Sequence, residues 1–323
     1  MKKVTVIGGG TGTFVVLTAL KETPINLGVI VTMMDSGGST GRLRDQLGVL
    51  PPGDLRQCLV ALSEAPLLWR SLFLYRFESG DLAGHNFGNI FISALEKVSA
   101  NYDEVIDTAS FVLKTKGKVI PVTFKKTHLV VTYENGNTVK GEGKIDTNVH
   151  ETKRIVQAFL KPKVFANPKA ISRISQSDYL ILGPGDLYTS IIPVLLVDGV
   201  KQAILKSNAK IIYIMNLMTK SGQTSNYKAT DHLEDMKKYL GKKPDYVLVN
   251  NGKIPSGVLE WYLRYHENPV VNNIKDDEPG IKMIQENFTD QKSFIKSKSD
   301  QLTRSILRHD STKLKKILVK IIL

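Results

Sequence analysis

The sequence predicts an α/β protein with a Rossmann-like, doubly wound and mostly parallel sheet that carries an antiparallel β insertion. Three observations predict it: short apolar runs alternate with helical patterns, each run ends at a polar or glycine residue, and 42% of the 323 residues are hydrophobic. Unbroken apolar runs are typical of strands that are buried on both faces. Strands that alternate with helices favour a parallel sheet, because each helix returns the chain to the same edge.

The strands and helices can be assigned in order along the chain. Short runs rich in Val, Ile, Leu or Tyr predict strands at 3–7, 27–33, 178–182, 210–215 and 245–250. Apolar residues at helical spacing predict helices at 13–22, 55–64, 87–98, 187–197 and 228–240. This alternation predicts a single Rossmann-like domain over residues 1–323, a length that allows a sizeable core.

Residues 117–145 break the alternation and predict a β-hairpin insertion. The runs 118–122 and 128–133 have the composition of strands. Asn135-Gly136 follows them, and this dipeptide is typical of a type I′ turn between antiparallel strands. We therefore expect a small antiparallel unit attached to the α/β core.

The formal net charge of +13 lies in two parts of the chain. Residues 114–163 hold 11 lysines and arginines against 4 acidic residues, and residues 281–323 hold 10 against 4, so the remainder is close to neutral. Lysine outnumbers arginine by 34 to 10, whereas the grooves that bind nucleic acid favour arginine. No nucleic-acid-binding motif accompanies the charge, so we expect a basic surface and no nucleic-acid partner.

The basic C-terminal segment 281–323 ends in a stretch with apolar residues at helical spacing, from Lys313 to Leu323. This pattern favours a last helix packed on the core, and a basic amphipathic helix that touches a membrane is the alternative. No apolar run reaches the roughly 18 residues of a membrane span, and the first run is too short for a signal peptide. The single cysteine, Cys58, excludes an internal disulfide and predicts a reducing, cytoplasmic location.

The first predicted strand ends in a glycine-rich turn, which is typical of a phosphate site. Glycines let the backbone approach a phosphate closely, and the N–H groups at the start of the next helix bind it. The dinucleotide fingerprint requires a glycine where Thr13 stands, so an NAD-dependent dehydrogenase fits less well. The candidate binding residues of this turn are Gly8, Gly9, Gly10, Thr11, Gly12 and Thr13.

The second predicted strand is followed by Asp35 and a loop of glycines, hydroxyls and arginines. The Asp35 carboxylate suits a ribose or substrate hydroxyl, or magnesium, and makes Asp35 a candidate catalytic and metal-binding residue. Backbone N–H groups, hydroxyls and guanidinium groups suit a phosphate. The candidate phosphate ligands of this loop are Ser36, Gly37, Gly38, Ser39, Arg42 and Arg44.

Two further predicted helices begin with polar groups. Asp54 is a candidate helix cap and a candidate binding residue, and Arg56 in the same first turn is placed to face an anion. His85 precedes the next helix and is a candidate general acid or base. The amides of Asn86 and Asn89 suit the recognition of a base or a sugar.

Polar residues also follow the strands predicted at 178–182 and 210–215. A glycine-rich turn and a helix start follow the first, and Asn216 follows the second. Ligands of open α/β sheets bind beyond the carboxyl ends of the strands, so these groups predict one large crevice for a large polar ligand. The candidates in the turn are Gly183, Gly185, Asp186, Tyr188, Thr189 and Ser190.

Together these motifs resemble the YvcK/CofD-like family over nearly the whole chain. The motifs are GGGTG at 8–12, DSGGS at 35–39, PGDLR at 52–56, GHNFGN at 84–89 and GPGDLYTS at 183–190. One branch of that family comprises 2-phospho-L-lactate transferases of coenzyme F420 synthesis, which use a nucleoside-diphosphate-activated phospholactate and magnesium. The other comprises gluconeogenesis factors, cytoplasmic proteins linked to UDP-sugar binding, cell shape and peptidoglycan synthesis.

The order and spacing of the motifs, with the ending Arg308-His309-Asp310, are similar to the gluconeogenesis-factor branch. This resemblance implies a Rossmann-like fold and a nucleotide-sugar-binding regulator of cell shape and peptidoglycan precursor metabolism. It also implies a UDP-sugar as the ligand and a protein of cell-wall synthesis as a partner. A magnesium-dependent phosphotransferase of the 2-phospho-L-lactate transferase type is the alternative, and the sequence leaves self-association open.

Overall fold

The computed structural model describes residues 1–290 and 305–323, whose strands form two sheets. The larger sheet has seven parallel strands in the order β10-β9-β8-β7-β1-β2-β3, and the smaller is antiparallel with the order β5-β4-β6. The strands are β1 (Lys3–Gly8), β2 (Asn26–Val31), β3 (Lys118–Pro121), β4 (His128–Tyr133), β5 (Thr138–Lys140), β6 (Ile155–Lys161), β7 (Tyr179–Leu182), β8 (Lys210–Ile214), β9 (Tyr246–Asn250) and β10 (Lys282–Glu286). The predicted α/β fold class, with a parallel sheet and a separate antiparallel unit, is therefore confirmed.

Helices connect the parallel strands, so both faces of the larger sheet are covered. In the described ranges they are α1 (Gly10–Leu20), α2 (Gly38–Leu47), α3 (Gly53–Leu62), α4 (Leu67–Leu74), α5 (Phe87–Val98), α6 (Tyr102–Leu113), α7 (Glu142–Asp146), α8 (Pro168–Ser175), α9 (Ile192–Leu195), α10 (Val200–Lys206), α11 (Ala229–Leu240), α12 (Ser256–Leu263) and α13 (Ser311–Ile322). Val4, Val6 and Ile7 of the central strand β1 are fully buried. The apolar runs of the sequence are thus strands enclosed between two layers of helices.

The C-terminal stretch is a helix that packs on the core, which confirms the favoured prediction. Helix α13 contacts α1, and its residues Leu314, Leu318 and Ile322 are buried. Asp310 caps it by accepting the N–H groups of Thr312 and Lys313. The apolar face of this helix is used by the core and is not free to contact a membrane. Among the described helices, none is both long and apolar enough to cross a bilayer.

The antiparallel insertion differs from the prediction at both ends. Lys118–Pro121 is not part of a hairpin, because it is the edge strand β3 and pairs in parallel with β2. The hairpin consists of β4 and β5, and β6 extends it on the other side of β4. Gly136 has a φ of +83°, but Asn135 has no positive φ, and the Gly136 N–H donates to the Tyr133 carbonyl at 2.9 Å, so Glu134 and Asn135 form the centre of the turn. The hairpin lies where it was predicted, but the predicted type I′ turn, which needs positive φ at both Asn135 and Gly136, is wrong. Strand composition alone predicted residues 118–122 correctly as a strand, but the choice of partner depends on tertiary packing.

Two other segments differ from the predicted elements. The helix predicted at 187–197 is a π-helical turn at Leu187–Ile191 followed by α9. Pro193 lies in the first turn of α9, where its missing N–H costs no helical hydrogen bond. The basic segment predicted at 281–323 contributes both β10 and α13, and its residues 291–304 lie outside the described part of the chain.

Candidate functional site

A polar cavity lies beyond the carboxyl ends of the central strands of the larger sheet. Strand β1 lies between β7 and β2, so the chain continues in opposite directions across the sheet after β1 and after β7. The helices that follow these two strands therefore diverge and leave a crevice, which is where open α/β sheets bind their ligands. Residues at the starts of α1, α2, α3 and the π-helical turn line the cavity. The first N–H groups of a helix have no partner inside the helix, so each start offers donors to a ligand.

Most of the predicted binding residues line this one cavity. Those that do are Gly9, Gly10, Thr11, Gly12, Asp35, Gly37, Ser39, Asp54, Arg56, Asn89, Gly185, Asp186, Thr189, Ser190 and Asn216. The predicted residues that lie outside its lining are Gly8, Thr13, Ser36, Gly38, Arg42, Arg44, His85, Asn86, Gly183 and Tyr188. The six loops in which the sequence predicted binding residues therefore meet, although not every residue of each loop faces the cavity.

The glycine-rich turn is held against two neighbouring loops. The N–H of Gly10 donates to the Asp54 Oδ1 atom at 2.8 Å, so Asp54 caps α1, whereas the N-cap position of α3 is Pro52. A Cβ atom at Gly9 would collide with the Asp54 carboxylate, and one at Gly12 would collide with the carbonyl oxygen of Pro184. Glycine is required at both positions because these loops approach so closely.

Asp35 joins the starts of α2 and α3. Its Oδ1 accepts the N–H of Gly37 at 2.9 Å, and a Cβ atom at Gly53 would collide with its other oxygen. Among the described residues, no group of three or more His, Cys, Asp or Glu side chains is arranged to hold a metal ion. Magnesium is commonly held by one or two carboxylates together with substrate phosphates, and Asp35 is the predicted residue that would contact it in that mode.

Arg56 and Asn89 form a buried polar pair on the wall of the cavity. The Arg56 Nε atom donates to Asn89 Oδ1 at 2.8 Å, its Nη1 donates to the Phe73 carbonyl at 3.2 Å, and Arg56 is 7% exposed. The Asn89 Nδ2 atom lies 3.3 Å from Ser39 Oγ and 3.4 Å from Thr40 Oγ1. These contacts fix the amide orientation and hold the guanidinium group in one place.

His85 lies behind Ser39 and does not line the cavity. The Ser39 Oγ accepts the Asn86 N–H at 3.2 Å and the Asn89 Nδ2 donor at 3.3 Å, which occupies both of its lone pairs. Its proton is therefore directed to His85 Nδ1, 3.2 Å away, and the neutral imidazole carries its own proton on Nε2. Burial, together with Arg42 and Arg76, lowers the pKa of His85. As a candidate acid or base, His85 reaches the cavity only through Ser39.

Arg42, Arg44 and Tyr188 were predicted at the ligand but are engaged elsewhere. Arg42 donates to the Ala83 carbonyl at 3.0 Å, and Arg44 pairs at 2.9 Å with Asp45. The Tyr188 hydroxyl donates to Asp235 at 2.6 Å in the interior. Positions 42 and 44 fall on the faces of α2 that turn away from the cavity. In the described part of the chain, the cations that line the cavity are instead Arg56, Arg76, Lys220 and Arg308.

The insertion contributes acidic residues to the cavity that the sequence analysis did not identify. Glu142 begins α7 and accepts the N–H of Ser36 at 3.0 Å, while the N–H of Gly143 donates to Ser36 Oγ at 2.8 Å. Asp146, at the end of α7, also lines the cavity. Burial and the nearby carboxylates of Asp35 and Asp146 raise the pKa of Glu142 well above its usual range. No local pattern marks these residues, because only the folding of the insertion over the sheet brings them there.

The C-terminal segment closes another side of the cavity. His309 Nε2 lies 3.1 Å from the Met215 carbonyl oxygen, which can only accept a hydrogen bond, so Nε2 carries the proton. Burial lowers the pKa of His309 to about 4. Arg308 and His309 both line the cavity, so two residues of the Arg308-His309-Asp310 motif lie at the candidate site. His309 thus ties the segment before α13 to the end of β8.

Known proteins match this chain in sequence and in structure over almost its whole length. A family model described as 2-phospho-L-lactate transferase CofD matches residues 4–289. The gluconeogenesis factor of Bacillus subtilis is 36% identical, with 99% of this chain and 98% of that protein covered. The gluconeogenesis factor of Halalkalibacterium halodurans is 38% identical, with 95% and 96% covered. A crystal structure of a UPF0052 family protein from Bacillus halodurans has a TM-score of 0.89 at 36% identity, and 99% of this chain and 100% of that chain are covered.

Proposed function

Because this chain belongs to the CofD family, we propose that it is a nucleotide-sugar-binding regulator of the gluconeogenesis-factor type. Its ligand is a UDP-sugar, and the bound state is read by a protein that controls cell shape and peptidoglycan precursor metabolism. The names of its relatives support the gluconeogenesis-factor part of this proposal, and the cavity supports the ligand class.

The observation that carries the proposal is the meeting of four helix starts at one polar cavity. Diphosphates bind to backbone N–H groups at helix starts, where the helix dipole also favours negative charge. The lining adds hydroxyl, amide and guanidinium groups at separate points, which suits a ligand with a phosphate part, a base and a sugar. A small ligand would leave most of these groups without a partner.

Within the proposal, each group has a separate role. The backbone at Thr11 and Gly12 holds the diphosphate, and Arg56 supplies positive charge beside it. Asp35, Asn89 and Asn216 contact hydroxyl groups of the sugar or polar atoms of the base. Asp54 orders the glycine-rich turn through its hydrogen bond to Gly10. Its negative charge also faces the diphosphate, and this repulsion limits the affinity for the ligand.

Calorimetric titration with a panel of UDP-sugars, GDP, NAD and NADP, with and without magnesium, tests the proposal. We expect a UDP-sugar to bind more tightly than the other ligands, and an Asn216→Ala variant to bind it less tightly. A ligand at 100 times its Kd adds about 2.7 kcal/mol to the free energy of unfolding, so thermal shifts give an independent measurement. If no UDP-sugar binds the folded protein, the proposal is wrong.

A magnesium-dependent phosphotransferase is the second candidate, because the matching family model describes a 2-phospho-L-lactate transferase. Asp35 would hold magnesium together with the donor phosphates, and the metal would supply positive charge to the transferring group. Arg56 would orient the phosphate-donor substrate. Glu142 would keep its proton and face an oxygen of the donor or the acceptor substrate. Incubation with nucleoside-diphosphate-activated phospholactate, an acceptor and magnesium should then release nucleotide, and an Asp35→Asn variant should not release it.

A further inference from the structure

Lys220 is a largely buried ammonium group on the cavity wall with unused hydrogen-bonding capacity. It lies in the loop after β8, and 16% of its side chain is exposed. Its Nζ atom is 3.7 Å from Asp146 Oδ1 and 3.6 Å from Glu267 Oε1, which are ion-pair distances outside the hydrogen-bond range. An ammonium group has three N–H donors. Within residues 1–290 and 305–323, no acceptor lies at hydrogen-bond distance from this Nζ.

Lys220 remains charged and is held in place. Burial opposes its charge, but Asp146, Asp186 and Glu267 together outweigh this effect and raise its pKa. Its backbone N–H donates to Thr224 Oγ1 at 2.9 Å, and its carbonyl accepts the Thr224 N–H at 2.8 Å. Because its backbone is held by these bonds and its side chain is largely buried, this cation loses less conformational entropy than a surface lysine when it binds an anion, which favours tight binding.

From this geometry we infer that Lys220 is a phosphate-binding residue, which exchanges its loose pairing with Asp146 for hydrogen bonds to a phosphate of the ligand. The inference rests on the proposed function, because that phosphate is the one in the nucleotide part. Lys220 also supplies a hydrogen-bond donor that the glycine-rich turn lacks, since the Gly10 N–H already donates to Asp54. Lys220 takes the role that the sequence analysis assigned to Arg42 and Arg44.

Asp146 is then an internal competitor of the phosphate. Its Oδ1 also accepts the Gln223 Nε2 donor at 3.3 Å, so two residues of the loop after β8 hold the end of α7. A phosphate that binds Lys220 leaves Asp146 with Gln223 and places a second negative charge beside its carboxylate. Removal of the Asp146 charge should therefore raise the affinity for a phosphate, whereas removal of the Lys220 charge should lower it.

Titration of the full chain with pyrophosphate, and separately with a UDP-sugar, tests the inference. Lys220→Met should weaken pyrophosphate binding about tenfold or more, as expected for loss of a hydrogen bond to a charged group. Lys220→Arg should retain most of the affinity, and Asp146→Asn should increase it. Lys210→Met is the matched control, because Lys210 pairs with Asp245 on the surface, 60% exposed, and should leave the affinity unchanged.

Each outcome decides a different point. Equal pyrophosphate affinity in the wild type and Lys220→Met, or no binding to the wild type, overturns the inference. Binding of pyrophosphate through Lys220 without binding of any UDP-sugar supports the inference and contradicts the nucleotide-sugar function. If Lys220→Met does not fold, the pyrophosphate affinity of Asp146→Asn tests the inference alone, because misfolding cannot tighten binding. Unchanged or weaker binding by Asp146→Asn then counts against the inference.

Discussion

The Asp54 carboxylate caps helix α1, with its Oδ1 atom 2.8 Å from the backbone nitrogen of Gly10. Asp54 itself lies in the first turn of α3, so this one bond joins the starts of two helices at the cavity. A negative charge at a helix start is favourable for the fold. The same charge would oppose the diphosphate of the proposed ligand, so the cap would stabilise the fold at the expense of ligand affinity.

Asp54→Asn should therefore bind a UDP-sugar more tightly than the wild type, because it keeps an acceptor for Gly10 but removes the charge. Asp54→Ala should lower the free energy of unfolding by about 1.5–3 kcal/mol, the usual value of a hydrogen bond to a charged group. Calorimetry and urea unfolding measure the two effects. Asp103→Asn, in the first turn of α6 and away from the cavity, is the control and should not change the affinity.

Gly12→Ala should displace α1 from the turn that contains Pro184. The added Cβ atom would collide with the Pro184 carbonyl, and overpacking of this kind costs about 1–3 kcal/mol of unfolding free energy. Gly257→Ala is the matched control, because a Cβ atom there meets no atom of the described residues within 4 Å and the position lies in α12. That variant should be neutral or slightly stabilising, and a similar loss in both variants would refute the collision.

Arg56→Lys should weaken ligand binding as well as lower stability, since lysine cannot hold Asn89 and the Phe73 carbonyl as the guanidinium group does. We expect a loss of about 1–3 kcal/mol in unfolding free energy. Arg173→Lys offers a comparison outside the cavity, because Arg173 is a buried arginine that holds Thr5 and Asn26. It should lose stability yet keep its ligand affinity, and equal affinities for the two variants would argue against a role of Arg56 at the ligand.

Glu142→Gln should remove a pH-dependent loss of stability, because burial, Asp35 and Asp146 raise the pKa of Glu142 and so favour retention of its proton in the folded state. Above the usual glutamate pKa the unfolded chain loses this proton and the folded chain keeps it, so wild-type stability falls as the pH rises. Glutamine removes that dependence, so the stability of the variant relative to the wild type should increase as the pH rises above the usual glutamate pKa of about 4.3. Chemical unfolding at several pH values measures the difference, and a constant difference would contradict a raised pKa.

His232 should make the protein sensitive to acid. Burial lowers its pKa to about 4, and neither ring nitrogen has a hydrogen-bond partner among the described residues. Between about pH 6.5 and this value the unfolded chain binds a proton that the folded chain does not, so stability falls on acidification by up to about 1.4 kcal/mol per pH unit. His232→Leu should reduce this slope. His150→Leu, at a largely exposed position, should not change it.

Much of the fold and part of the site could be predicted from local sequence. The five strand predictions and the position of the hairpin at Asn135-Gly136 depend on hydrophobic pattern and on backbone preferences, which act over a few residues. The glycine-rich turns at Gly9 and Gly185 were identified for the same reason. The structure places Arg42 and Arg44, which were assigned to the ligand, outside the cavity lining, because the direction of a side chain depends on which face of α2 packs against its neighbours.

The sequence by itself determined the α/β class, the parallel strands and the loops at their carboxyl ends, because these follow from periodicity and turn chemistry along the chain. Only the tertiary structure decided that β3 joins the larger sheet, that Asp54 caps α1, and that Glu142 and Lys220 face the cavity. Each of these contacts joins residues that are far apart in the chain. Their energies depend on burial and charge in the assembled fold, which no local pattern records.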